Sequence, residues 1–150
     1  MGTATMDLAT IGFTRTSAEH FFGRLKQAGV RKVIDVRLHN TSQLAGFAKS
    51  DDLPYFLRQL CAIDYAHEPS LAPTEDIMTA FKKERGDWTV FQRDFLNLMA
   101  ERRVESRFKA EQFDDGCLLC SEDTPHHCHR LLVCDYLNGK WGGALTVRHL

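Results

Sequence analysis

The sequence predicts a single three-layer α/β domain over residues 1–150: a mainly parallel sheet of about five strands with helices on both faces. Three observations lead there. Strand-like and helix-like segments alternate along the chain. The first strand–helix–strand unit takes about thirty residues, the length of a right-handed parallel crossover. Charged and sulfur-bearing side chains gather where strand-like runs end, and parallel sheets bind ligands at that carboxyl edge.

The elements follow in order. Leu8–Gly12 reads as a short strand ending in a turn. Thr16 or Ser17 is the candidate N-cap of a helix whose apolar face is Phe21, Phe22, Leu25 and Ala28. Gly29 is its natural stop. Val33–Arg37 is a β-branched strand. His39–Lys49 is polar and turn-rich, hence a loop. A helix is expected from about Asp52 to Cys61, with Pro54 in its first turn and Leu53, Phe56, Leu57, Leu60 and Cys61 on one face. Ile63–His67 is a third strand. Thr74 caps a helix running to about Arg85, and Asp87 caps another carrying Val90, Phe91, Phe95, Leu98 and Met99. Gly116–Cys120 is a fourth strand. Thr124-Pro125 is read as a cap followed by a first-turn proline, opening a helix that ends before Asn138-Gly139. Ala144–His149 is a terminal strand.

Composition narrows the function classes. The chain is 43% hydrophobic and 26% charged, as in soluble globular proteins. Its 150 residues suffice for one core without covalent staples. A net charge of −1 gives no global field for nucleic acid. The N-terminal segment lacks a basic region followed by a long apolar run, so no secretory signal is expected. No stretch has the length of a membrane span, and no membrane partner is expected. The five cysteines are an odd number, and four of them cluster. That is not a disulfide framework, and the expectation is a reducing cytoplasm with thiols as core residues, ligands or nucleophiles.

The cluster lies within Gly116–Leu137, and two chemistries compete for it. Cys117, Cys120 and Cys128 with His126, His127 and His129 are soft ligands of the kind zinc takes. Strand geometry argues against a full structural site, because Cys117 and Cys120 face opposite sides of a strand. Cys120, Cys128 and one histidine remain able to form an open site. The other chemistry is an anion or nucleophile site where the helix begins. Unpaired N–H groups there favour negative charge, and a thiol in the first turn is acidified by the same field. Cys128 is such a thiol, Arg130 a bidentate anion binder, and Glu122 a candidate acid or base. Asp35 and Arg37 point to one side of the second strand's tip. Arg15 adds a cation at the same edge, with Thr10, Thr14 and Ser42 as hydroxyl donors. Cys117, Cys134 and Cys61 read as core. No metal and no cofactor is assigned from sequence.

The runs Thr10-Ile11-Gly12-Phe13-Thr14-Arg15-Thr16, Val33-Ile34-Asp35-Val36-Arg37, Leu119-Cys120-Ser121-Glu122 and Cys128-His129-Arg130 resemble the DUF488 family of small bacterial and archaeal proteins. Tyr65-Ala66-His67 and Val147-Arg148-His149-Leu150 add to the likeness. The resemblance implies a mainly parallel α/β fold and, because the family's function is unknown, no activity. It implies signature positions at Thr10, Gly12, Arg15, Asp35, Arg37, Cys120, Glu122, Cys128, His129 and Arg130. Many relatives carry proline and serine after the D-V-R and a later L-G-G. This chain has Leu38-His39-Asn40-Thr41-Ser42 and Leu71-Ala72-Pro73-Thr74 instead, which implies a loop specificity of its own.

The candidate site is therefore Asp35, Glu122 and Cys128 for chemistry. Thr10, Gly12, Arg15, Arg37, Ser42, Cys120, His129 and Arg130 would bind the ligand. The expected function is an enzyme-like cytoplasmic domain holding a small anionic, nucleotide- or phosphate-like ligand. The alternatives are a nucleic-acid-binding or DNA-repair accessory domain and a zinc protein without catalysis. The nucleic-acid reading needs a basic surface from Arg15, Arg37, Arg102, Arg103, Arg107, Lys109 and Arg130.

Overall fold

A computed structural model describes the chain except residues 1–4, 14–15, 40–47, 49–51, 84–86 and 121–127, and the side chains of 82 and 83. Five strands form one sheet, all parallel: β1 (Met6–Gly12), β2 (Lys32–Asp35), β3 (Asp64–His67), β4 (Gly116–Cys120) and β5 (Leu145–His149). Their spatial order is β3-β2-β4-β1-β5. The helices are α1 (Ala18–Gln27), α2 (Leu53–Phe56), α3 (Glu75–Lys83), α4 (Trp88–Arg102), α5 (Val104–Arg107) and α6 (His129–Lys140). A single α/β domain architecture follows, as the alternating pattern predicts.

Two apolar cores flank the sheet. One packs Phe21, Phe22 and Leu25 of α1 and Leu53 of α2 against Ile11, Val33, Cys117 and Leu119. The other packs Phe91, Phe95 and Met99 of α4 and Leu132, Val133 and Leu137 of α6 against Leu8, Ile34, Leu118 and Cys120. Successive residues of β4 thus serve opposite faces, as strand geometry requires. Both faces are covered, so β4 is wholly apolar, GCLLC.

The predicted caps hold. Ser17 accepts from His20 N at 3.1 Å, Thr74 from Ile77 N at 3.2 Å and Asp87 from Val90 N at 3.3 Å. Gly29 takes a positive φ of 71°, the conformation glycine reaches without a Cβ penalty.

Four expectations are corrected. The helix after Asp52 passes from α2 into a π-helical turn, Leu57–Cys61. This wider winding rotates Leu60 off the apolar face, and it is 54% exposed. β2 stops at Asp35, so Val36 and Arg37 lie just beyond the ladder. Cys128 has extended backbone (φ −123°, ψ 138°), so α6 starts after it rather than running through it from Pro125. Thr124 and Pro125 lie outside the described residues. Finally, α6 continues through Asn138 and Gly139 to Lys140. There the Asn138 side chain bridges to Leu145, accepting from its N–H at 2.8 Å and donating to its carbonyl at 3.0 Å. Among the described residues no helix is long and apolar enough to cross a membrane.

Candidate functional site

Strand order determines where a crevice opens. From β1 the chain crosses past β4 to β2, over the α1 face. From β4 it crosses past β1 to β5, over the α6 face. β1 and β4 are neighbours whose connections leave in opposite directions, which is a topological switch point. Gly12 and Cys120, the last residues of the two strands, are register partners there.

One strand away, Asp35 and Arg37 form a closed unit. Arg37 Nε donates to Asp35 Oδ1 at 2.9 Å and Nη2 to Oδ2 at 2.8 Å, a bidentate pair. The Arg37 backbone N–H also donates to Oδ1, at 3.1 Å. Tyr65 Oη donates to Oδ2 at 2.5 Å, and Arg37 Nη2 reaches the Ala48 carbonyl at 2.7 Å. The guanidinium lies 5.2 Å from the Phe13 ring centroid. Asp35 and Arg37 are both buried. Burial of two charges requires such pairing, although Arg37 Nη1 is buried without a hydrogen-bond partner among the described residues. His67 Nε2 donates to the Arg37 carbonyl at 2.7 Å, so the turn after β2 is tied to β3.

At the end of β4 a second unit assembles. The Sγ atoms of Cys120 and Cys128 lie against one another, with Cα atoms 7.8 Å apart. No cysteine pairing was expected from sequence; the end of β4 and the residue before α6 bring these two together. Arg130, the second residue of α6 and fully buried, donates from Nη1 to Cys120 Sγ at 3.2 Å. His129 Nε2 contacts the Val36 carbonyl at 2.7 Å, and its ring packs 5.6 Å from that of Phe95. A carbonyl only accepts, so Nε2 carries the proton and Nδ1 keeps a lone pair. Burial, with some help from the Arg130 charge, pushes the His129 pKa down to about 4 against the opposing Val36 bond. The imidazole is therefore neutral at pH 7. Cys120, Cys128 and His129 present ligand atoms all within 4.8 Å of one another.

The remaining cysteines differ. Burial pushes the Cys117 thiol well above its usual range and the Cys134 thiol up to about 12. Both are core groups. Cys61 packs against the α1-side core and its pKa is raised by burial.

Of the predicted site residues, Thr10 is buried and its Oγ1 pairs with His149 Nδ1 at 2.6 Å. The Gly12 carbonyl accepts from Arg24 Nη2 at 3.3 Å. Asp35 and Arg37 come together at one tip, Cys120, Cys128, His129 and Arg130 at the next. The Val36 carbonyl joins the two units through His129. Arg15, Ser42 and Glu122, like Thr14, lie outside the described residues. Tyr65, Phe13 and the Ala48 carbonyl were missed as partners of the Asp35–Arg37 pair. Tyr65 alone had a signal, a hydroxyl aromatic in the strand that pairs with β2.

The family model for a domain of unknown function, DUF488, matches residues 17–137. That span takes in the D-V-R tip and the C-H-R block and leaves β1 and β5 outside. No curated protein and no solved structure matches the chain. With most of its length inside the match, this chain belongs to the DUF488 family.

Proposed function

We propose that this domain is enzyme-like and binds a small anionic ligand, nucleotide- or phosphate-like, at the carboxyl edge of its sheet. The observation that carries the reading is the switch point between β1 and β4, whose last residues are Gly12 and Cys120. The start of α6 supports it. This helix has 12 residues, and its N-cap Cys128 makes no side-chain cap bond. Its first N–H groups, at the positive end of the helix dipole, suit an anion. Arg15 comes three residues after the end of β1 in sequence and would supply a cation. Glu122 follows β4 and would serve as acid or base. Cytoplasmic placement accords with the proposed thiol and anion chemistry.

Nucleic acid is the less favoured partner. Arg37 and Arg130, two cations of the required basic surface, are buried and add nothing to it.

The test is a two-dimensional NMR titration with inorganic phosphate and then with nucleoside mono-, di- and triphosphates. Saturable shifts are expected at the Gly12 and His129 amides. Arg15→Ala is expected to weaken binding about tenfold, as the loss of one charged hydrogen bond would. Shifts confined to surface lysines, or absent at millimolar ligand, would reject the reading.

A further inference from the structure

We infer that Cys120, Cys128 and His129 form a zinc-binding site with an open coordination position. The three ligand atoms converge within 4.8 Å, drawn from the end of β4 and the start of α6. Two thiolates and an imidazole are a soft set that zinc takes in preference to magnesium or calcium.

The supporting shell is of the kind metal ligands have. A ligating histidine holds its other ring N–H on a carbonyl or carboxylate, which sets the tautomer and aims the ring. His129 does this through Nε2 and the Val36 carbonyl at 2.7 Å, leaving Nδ1 for the ion. Phe95 packs against the ring and holds its plane. Arg130 Nη1 donates to Cys120 Sγ at 3.2 Å, a bond that favours the thiolate required for coordination. Both sulfurs sit in the α6-side core beside Val36, Phe91 and Phe95. A dry site of this kind strengthens the electrostatic attraction of two thiolates for a dication.

The backbone favours a metal bridge over a direct sulfur–sulfur bond. Disulfides join Cα atoms about 4.4–6.8 Å apart, whereas these lie 7.8 Å apart. Two thiolates on one tetrahedral zinc sit about 3.8 Å from each other, from bonds of about 2.3 Å. The ion would part the two sulfurs, and the wider Cα separation leaves room for it.

Three protein ligands leave a fourth position for water or an exogenous oxygen donor, the arrangement of catalytic rather than structural zinc. The site lies at the same sheet edge as the proposed anion crevice but does not rest on that reading. Its test is run without any anion ligand.

The full chain, made without a histidine tag and purified under reducing conditions, is assayed for zinc and titrated in apo form with Co2+. About one zinc per chain is expected, with a thiolate-to-cobalt charge-transfer band and tetrahedral d–d bands. Cys120→Ser and Cys128→Ser are each expected to weaken Co2+ binding more than about 100-fold, and Cys61→Ser to leave it unchanged. Should a cysteine variant fail to fold, thiol labelling of the native protein decides the matter. Zinc must then shield Cys120 and Cys128 and leave Cys61 reactive, as read by peptide mass spectrometry. Zinc well below one equivalent after supplementation, a charge-transfer band that survives loss of either cysteine, or an intact mass two hydrogens lighter under anaerobic purification would overturn the site. The last result would mean the sulfurs are joined to each other.

Discussion

The side chains with the largest consequences are the buried charges at the strand tips. Asp35 and Arg37 hold each other in a bidentate pair, and Tyr65 takes up a further lone pair of the carboxylate. Removing one partner leaves the other charge buried and unmatched. Asp35→Asn is expected to cost about 3–5 kcal/mol by urea unfolding. Replacing both charges with apolar residues should cost less than the single change, since neither charge then remains. A double variant less stable than Asp35→Asn would show that the pair itself stabilises the fold. Asp35 and Arg37 were legible from the sequence as charges at a strand tip. Their mutual pairing was not, because its surroundings come from distant positions: Tyr65 of β3 and the Ala48 carbonyl.

Elements bring their own constraints. β4 begins at Gly116, where a Cβ would stand 2.9 Å from the Phe113 carbonyl oxygen and 3.2 Å from Ile34 Cδ1. The first obstacle is backbone and cannot rotate away. Gly116→Ala is therefore expected to destabilise by about 1–3 kcal/mol, the range of overpacking. An unchanged thermal midpoint would refute that close approach. The α5–α6 contact adds a hydrogen bond to the apolar packing of Val104. Tyr136 Oη donates to Glu105 Oε1 at 2.7 Å, and this bond holds the Glu105 carboxyl below its usual pKa. A depressed carboxyl contributes stability above its unfolded pKa and loses it as pH falls through the folded value. Tyr136→Phe should flatten the acid limb of the stability profile below about pH 4.3. The effect stays below about 1 kcal/mol because the carboxylate is largely solvated. Burial, then Glu105 itself, pushes the Tyr136 pKa up to about 12, so that hydroxyl stays a donor throughout this range.

The whole molecule is two cores sharing one sheet. Phe21 and Phe95 are both fully buried, on opposite faces. The sheet between them couples the faces, so unfolding is expected as one cooperative transition. Phe21→Ala and Phe95→Ala should each cost about 3–5 kcal/mol. Circular dichroism and tryptophan fluorescence should report the same shifted midpoint for both. Trp88 and Trp141 pack on the α6 side. A fluorescence midpoint unmoved by Phe21→Ala would therefore mean the two cores unfold separately.

Much of the local structure was legible in the sequence, though not the π-helical turn at Leu57–Cys61 or the two ends of α6. Alternation of β-branched runs with helical apolar faces, caps at Ser17, Thr74 and Asp87, and the stop at Gly29 all follow from interactions within a few residues. So does the division of Cys117 and Cys120 between opposite faces, since a strand's period of two allows nothing else. Asp35 and Arg37 were legible as charges placed at the end of a strand. Tertiary structure alone decided strand order. Placing β4 between β1 and β2 puts Cys120 beside Gly12 and carries His129 to Val36, 93 residues away in sequence. Periodicity records which face a residue turns to the core. It carries no record of which strand lies alongside, because that depends on burying both faces of the whole sheet at once.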